Sequence, residues 1–380
     1  MNITIAGAGN MGLCLLGYLE AHGHDVTLYT ASHKLENRSL VLKNHETEEE
    51  KVITRFKITS SIEKGFSNCD VVFCTYPAFL RKEFINEIEY ILNPGSILCF
   101  IPGYGGAEYY CKKLLRRGIK ICGFQRVPYV ARYEDVKECV YANILSIKKK
   151  LFIATIPKDL SVEIAGIIEN LLNIPTVPLD EYLAVTLSPS NPLLHISGLY
   201  GVFGGLPKVT VFPRELKFYE EWNDSTSQFL FEYDDELHRI CNAMSPLFNL
   251  EEVVPLSVYY ESPTPEEMTR KLKSIESFKV VKVPLKKIGN LGYGVDIGSR
   301  MFVEDFPYGV CMFKAFALLV GVDTPVIDKL LQFYSDLSGK RYFKQDGSFD
   351  IDISETGIPQ LNGISDLKEL LEFYSWDNIR

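Results

Sequence analysis

Apolar positions follow two rhythms along the 380 residues. Through the first half, short apolar runs alternate with stretches in which apolar residues recur every three or four positions, the pattern of strands followed by amphipathic helices. The runs predict strands at 3–6, 26–30, 52–58, 71–76, 96–101, 120–124, 142–147 and 151–156, with a polar stretch over 46–51. Helices are predicted after the first strand, where Met11, Cys14, Leu15, Tyr18 and Leu19 keep helical spacing up to Gly23, and then at 82–92, 107–116 and 160–172. Such alternation builds βαβ units and a mostly parallel, doubly wound sheet. Ligands on such a sheet bind at the carboxyl ends of the strands, which directs attention to the loops at 75–77 and 102–106. From about residue 180 helical periods take over, at 184–199, 213–243 and 310–331 among others. The expected fold class is therefore α/β, with a doubly wound domain over 1–180 and an all-helical domain over 181–380. Their connection near 177–180 is short, which predicts a cleft between them.

The first strand runs directly into Gly7-Ala8-Gly9-Asn10-Met11-Gly12. With a strand before it and a helix after it, this spacing is that of a Rossmann-type dinucleotide turn. Gly7 allows the tight turn, Gly9 lets backbone approach a pyrophosphate, and Gly12 permits close packing of helix on strand. The anion then sits on the N–H groups that open the helix. Thr75 and Pro77, after a later strand, join the expected cofactor site. A site that prefers NAD carries an acidic residue at the end of the second strand. This chain has Thr30, Ser32 and Lys34 there, and Asp25 lies at the wrong end. Two hydroxyls and a cation suit a 2′-phosphate, so the expected cofactor is NADP, with NAD the alternative.

Charge and composition narrow the partners. A net charge of −9 argues against nucleic acid, and the basic runs at Lys148 to Lys150 and at Arg116 and Arg117 read as solvated loop or helix ends. No apolar stretch is long enough for a membrane span, and no basic segment followed by an apolar one opens the chain. Nine cysteines without paired spacing read as buried thiols in a reducing compartment, and Cys69 and Cys74 lie along one strand, too extended for a zinc clip. A cytoplasmic location is the expectation. The apolar helices are compatible with a homodimer.

Of six histidines, only His195 lies in an apolar, proline-bounded element, 188–198. Pro192 suits the first turn of a helix with Ser190 or Asn191 as its cap, and Asn191 and His195, four apart, share one face. A core histidine bonded to a carbonyl is the bland alternative. A second constellation, 299–309, holds Arg300, Glu304, Asp305 and Pro307. Either carboxylate could open the following helix, or one could orient a histidine while the guanidinium forks onto a substrate carboxylate.

Together the glycine turn, Val127-Pro128-Tyr129-Val130-Ala131-Arg132, Asn191-Pro192-Leu193-Leu194-His195 and 300–309 resemble the opine dehydrogenase family, of the octopine/nopaline dehydrogenase type. The resemblance spans nearly the whole chain. It implies an NADPH-dependent oxidoreductase acting on CH–NH bonds, which joins an amino acid to a 2-oxo acid and reduces the imine. It also implies that His195 and Asp305 are the catalytic pair and that Arg300, with Asn191 nearby, binds substrate. Gln125 and Arg126 stand where the family often has acidic or hydroxyl residues, a departure that bears on the substrate. Two other readings share the same opening turn. One is a reductase of the ketopantoate or glycerol-phosphate type, which relies on a lysine where this chain has Asn191 and His195. The other is a nucleotide-binding sensor without catalysis.

Overall fold

The computed structural model describes residues 1–188 and 190–376. The chain divides into two compact units, one of residues 1–186 with 371–376 and one of Leu187–Leu370. The division falls after 186 rather than 180, and the last described residues go with the first unit. The strands of the first unit are β1 (Asn2–Ala6), β2 (Asp25–Tyr29), β3 (Ser39–Asn44), β4 (Glu49–Ile53), β5 (Phe56–Thr59), β6 (Val71–Cys74), β7 (Ile97–Phe100), β8 (Lys120–Phe124), β9 (Tyr129–Val136), β10 (Cys139–Ile147), β11 (Leu151–Ile156) and β12 (Thr176–Pro178). Its helices are α1 (Asn10–Ala21), α2 (Ile62–Phe66), α3 (Ala78–Ile88), α4 (Lys112–Arg116), α5 (Ser161–Leu172) and α6 (Leu183–Thr186).

Eight strands form one sheet in the order β12-β11-β8-β7-β6-β1-β2-β5, parallel except where β8 meets β11. β1 lies between β2 and β6, with Ile5 opposite Leu28 and Phe73. The turn that leaves β1 therefore opens at the carboxyl edge of the sheet, where such folds bind ligands.

A second sheet departs from the expected single series. β4-β3-β10-β9 stands apart, so the run at 142–147 belongs to β10 and not to the parallel sheet. The polar stretch 46–51 turns into β4, and the strand expected over 52–58 breaks at Thr54 and Arg55. The break has a local cause: the buried Glu20 carboxylate accepts the Arg55 N–H at 2.9 Å. β4 hides from sequence because Glu49, Glu50, Lys51 and Val52 are all exposed, the charged pattern of an edge strand.

Because a sheet packs on either side, α1 is buried along Gly12 to Glu20, which explains why its sequence is apolar nearly all round. Gly17 matters to this layering, since a Cβ there would stand 3.1 Å from the Leu42 side chain of β3.

The second unit holds α7 (Ser190–Phe203), α8 (Asp224–Met244), α9 (Leu256–Tyr259), α10 (Pro265–Ser274), α11 (Arg300–Val303), α12 (Cys311–Val320) and α13 (Pro325–Ser338), and α14 (Leu367–Ser375) begins in it. It is not entirely helical: β13 (Leu285–Ile288) and β14 (Gly292–Val295) form a hairpin. Several expected helices are shorter or broken. α8 starts only at Asp224, where the Asn223 side chain accepts the Thr226 N–H at 3.0 Å. The helix expected over 310–331 ends at Gly321, in the left-handed region at φ +68°, and resumes at Pro325. There the buried Glu236 carboxylate accepts the Val326 and Ile327 N–H groups at 2.8 and 2.9 Å, closing the start of α13. The helix expected over 184–199 is two pieces, α6 and α7. α7 already includes Ser190 and Asn191, so neither caps it from outside; Pro189 lies outside the described residues. In the first unit, α3 begins at Ala78 rather than 82, and 107–116 is a 3-10 turn (Ala107–Cys111) leading into α4.

Candidate active site

The glycine turn is built by contacts that leave little choice of residue. Gly7 has φ +109°, and its N–H donates to the Tyr29 carbonyl at 3.0 Å. A Cβ on Gly12 would lie 1.9 Å from the Gly7 carbonyl oxygen, so this glycine is a condition for α1 to leave the turn as it does. The Thr75 hydroxyl donates to the Ala6 carbonyl at 2.9 Å, which ties the turn to the end of β6. Pro77 stands at the start of α3. A Cβ on Gly9 would meet nothing within 4 Å. Gly9 opens α1 without a side-chain cap, and no acidic residue lies in the first turn of the helix. Open space above uncapped helix N–H groups, with no carboxylate nearby to repel an anion, fits a dinucleotide pyrophosphate. Asn10 faces elsewhere: its Oδ1 accepts the Tyr133 N–H of β9 at 2.9 Å. Met11 packs on the core and Ala8 is buried.

At the end of β2, the Thr30 Oγ1 accepts the Ser32 N–H at 2.9 Å, and Ser32 Oγ accepts the Lys34 N–H at 3.4 Å. The Lys34 ammonium reaches back 3.2 Å to the Ala8 carbonyl. The sequence-predicted cation is thus placed on the glycine turn itself.

In the second unit, His195 Nδ1 lies 2.8 Å from Asp305 Oδ2. An ionised carboxylate only accepts, so Nδ1 carries the donated proton and Nε2 is the nitrogen left for chemistry. Asp305 is buried and His195 is one-fifth exposed. Burial pushes the Asp305 carboxyl above its ordinary value; the bond from His195 opposes this and the neighbouring Glu304 charge adds to it. Local packing brings the two residues together. The chain between Asp305 and α12 forms a π-helical turn, Phe306–Val310, and a Cβ on Gly309 would sit 2.5 Å from the Pro192 ring of α7. Only glycine lets this turn close on the helix that carries His195.

Arg300 does not reach out alone. Its Nε and one Nη donate to a single oxygen of Glu304, at 2.8 and 2.5 Å, and Glu304 is buried while Arg300 is mostly exposed. Neither carboxylate caps a helix through its side chain, because Asp305 turns to His195 and Glu304 to Arg300. Asn191 lies one turn before His195 on α7.

Sequence reading passed over Glu108, which follows the loop at 102–106. It is fully buried, accepts from the Thr186 hydroxyl at 2.5 Å and the Tyr374 hydroxyl at 3.2 Å on one oxygen, and has no partner on the other. Its signal was a lone carboxylate among Ala107, Tyr109 and Tyr110. Burial pushes this carboxyl up to about 7 from an ordinary 4.5, against its hydrogen bonds and the Arg81 charge. The folded chain therefore holds an extra proton between those values, so Glu108 favours folding at low pH and loses up to about 3 kcal/mol of that contribution as pH rises through 7. Glu108→Gln, which imitates the protonated acid, is expected to match the parent at pH 5 and exceed it by about 2 kcal/mol at pH 8 in urea unfolding. An equal difference at both values would contradict the assignment.

Two cavities of about 580 and 650 Å³ contain none of these residues. One lies beside His238 and Cys241, the other at the amino ends of the sheet around Asp70 and Asn93. Among the described residues no helix is long and apolar enough to cross a membrane.

With this geometry in hand, the comparisons with known proteins point one way. Residues 178–338 match the family model described as NAD/NADP octopine/nopaline dehydrogenase, alpha-helical domain. Residues 3–127 match that of ketopantoate reductase PanE/ApbA. Tauropine dehydrogenase of Arabella iricolor is 23% identical over 97% of this chain and 99% of its own length. Octopine dehydrogenase of Pecten maximus is 24% identical over 83% of this chain and 81% of its own. The chain is similar to opine dehydrogenases over most of its length. A solved octopine dehydrogenase with NADH and L-arginine shares its fold at a TM-score of 0.84 and 22% identity, covering 100% of this chain and 99% of that one. α7 and the 300–309 segment lie within the residues matched by the octopine/nopaline dehydrogenase helical-domain model, and the glycine turn lies within those matched by the ketopantoate reductase model.

Proposed function

We propose that this chain is an NAD(P)-dependent opine dehydrogenase that condenses the amino group of an amino acid with a 2-oxo acid and reduces the product, reversibly. The observation that carries this reading is the His195–Asp305 pair at 2.8 Å in the helical domain of a chain whose other half holds a dinucleotide turn. When bound, the nicotinamide supplies the hydride. The first unit's part is to hold the pyrophosphate on the α1 N–H groups and the Gly9 backbone. In the second unit, His195 Nε2 gives a proton to the carbonyl or carbinolamine oxygen and takes one back in the reverse direction. Asp305 keeps the proton on Nδ1 and stabilises the ring when it is charged. Arg300 docks a substrate carboxylate while Glu304 holds the guanidinium in place through its Nε edge. Asn191 stands on the same helix face as His195 and is assigned to substrate binding. The cofactor preferred is NADPH, as Ser32, Thr30 and Lys34 at the end of β2 suit a 2′-phosphate.

We place the enzyme in the cytoplasm, a compartment that suits its nine free thiols, eight of them buried. The test of function is NADPH oxidation with pyruvate and a panel of amino acids. Turnover that requires both an amine and an oxo acid supports an opine dehydrogenase. Oxidation with the oxo acid alone supports a reductase of the ketopantoate type, the family matched only by residues 3–127. Binding without turnover across the panel supports a sensor.

Arg300 gives a sharper expectation. A lysine cannot reproduce a fork that serves Glu304 on one edge and a carboxylate on another. Arg300→Lys is expected to raise KM for the 2-oxo acid by about tenfold or more, with a smaller change in kcat. A KM that stays put would remove Arg300 from the substrate site.

A further inference from the structure

In a chain of net charge −9, Lys34 has no carboxylate partner among the described residues. Its ammonium is held instead by a carbonyl and an aromatic face: 3.2 Å from the Ala8 oxygen and 4.2 Å from the centroid of the Tyr133 ring. Tyr133 belongs to β9 in the second sheet, and its N–H donates to Asn10 at the start of α1. The outer sheet is thereby tied to the glycine turn at the point where its ring covers the lysine. Nearby charges are already engaged. Glu36 accepts from His33 at 2.8 Å. Arg38 bonds the Lys34 and Cys139 carbonyls, the Val136 carbonyl and Asp135, so it locks the β9–β10 turn rather than serving a ligand.

An ammonium has three N–H donors. Ala8 takes one and the ring face shields another side, which leaves the remaining donor capacity at the mouth of the glycine turn beside the end of β2. That is where the adenosine ribose of a bound dinucleotide lies on this fold. A lysine on a four-carbon stem would otherwise sample many rotamers, and the ring restricts them.

We propose that Tyr133 is a positioning residue for cofactor choice: its ring holds the Lys34 ammonium on the glycine turn, where it meets the 2′-phosphate of NADP(H). This rests on the NADPH preference given above. Tyr133 itself makes no contact with the phosphate in this account, so the ring matters and the hydroxyl does not.

The test is the dissociation constant of the full-length protein for NADPH and for NADH, followed by fluorescence in the parent, Tyr133→Leu, Tyr133→Phe and Lys34→Met. The parent should bind NADPH more tightly. Lys34→Met should lose most of that preference, Tyr133→Leu should weaken NADPH about 5- to 20-fold with NADH changed less than about twofold, and Tyr133→Phe should behave as the parent. A parent with equal or tighter binding of NADH overturns the NADP reading and this proposal with it. A parent that prefers NADPH, with the preference intact in Tyr133→Leu, overturns the proposal alone. So does an equal loss for both nucleotides, which is what damage to the β9 contact would produce.

Discussion

His195→Ala is expected to lower kcat by about 10²–10⁴-fold while leaving the dissociation constant for the nicotinamide cofactor within about twofold, because a positioned acid–base group contributes on that scale. The separation follows from the fold. His195 lies on α7, and the groups proposed to hold the pyrophosphate lie on α1 and its glycine turn, in the other unit. Asp305→Asn should fall in the same range for a different reason. An amide there can present an N–H to Nδ1 and so favour the wrong tautomer, with the proton on Nε2. If the two residues act as one unit, the double variant should be little worse than either single one. Single-turnover rates with saturating cofactor, alongside cofactor titration, check all three statements. Turnover unchanged in His195→Ala would leave the histidine a core residue bonded to a buried acid.

Gly12→Ala is the second large effect, and it falls on the other unit. The added Cβ would stand 1.9 Å from the Gly7 carbonyl oxygen, a backbone atom that cannot swing aside, so α1 must move relative to β1. α1 is buried from Gly12 to Glu20 between two sheets, and a shift there disturbs both. A loss of about 3 kcal/mol or more in unfolding free energy is expected, with cofactor affinity down by about 100-fold or more. Gly9→Ala serves as the contrast. Its Cβ meets nothing within 4 Å, so stability should change by only about 1 kcal/mol, the cost of alanine at a helix cap, while the methyl group stands in the way of the pyrophosphate. Denaturant unfolding and cofactor titration on the two variants separate packing from ligand approach. Equal stability in both would mean that the turn accommodates the Gly12 side chain by a route the structure does not show.

Much of this site was legible in the residues because its physical demands are local. The glycine turn needs its three glycines at fixed spacing after a strand, and the chain has them at the first opportunity. His195 and Asp305 are 110 positions apart, and only the family resemblance linked them; what joins them in space is Gly309 against Pro192, a steric fit with no sequence rhythm. The second sheet escaped for a related reason. β3 pairs with β10 from far along the chain, and β4 exposes four of its five residues, so the sequence shows neither the partner of the apolar run at 142–147 nor the edge strand beside it. Glu304 was visible as a carboxylate but not as the partner of Arg300, since an i, i+4 ion pair shows only once α11 is known to end at Val303. The Lys34 contact with Tyr133 depends on that unanticipated sheet and could not be read without it.

The most direct test of the central claim is the identity of the product formed from pyruvate, an amino acid and cofactor carrying deuterium at the transferred position. The account predicts a secondary amine whose mass is that of the two substrates joined with loss of water and reduced, with one deuterium on the carbon between nitrogen and the pyruvate carboxylate. A deuterated 2-hydroxy acid with the amino acid returned unchanged would contradict it.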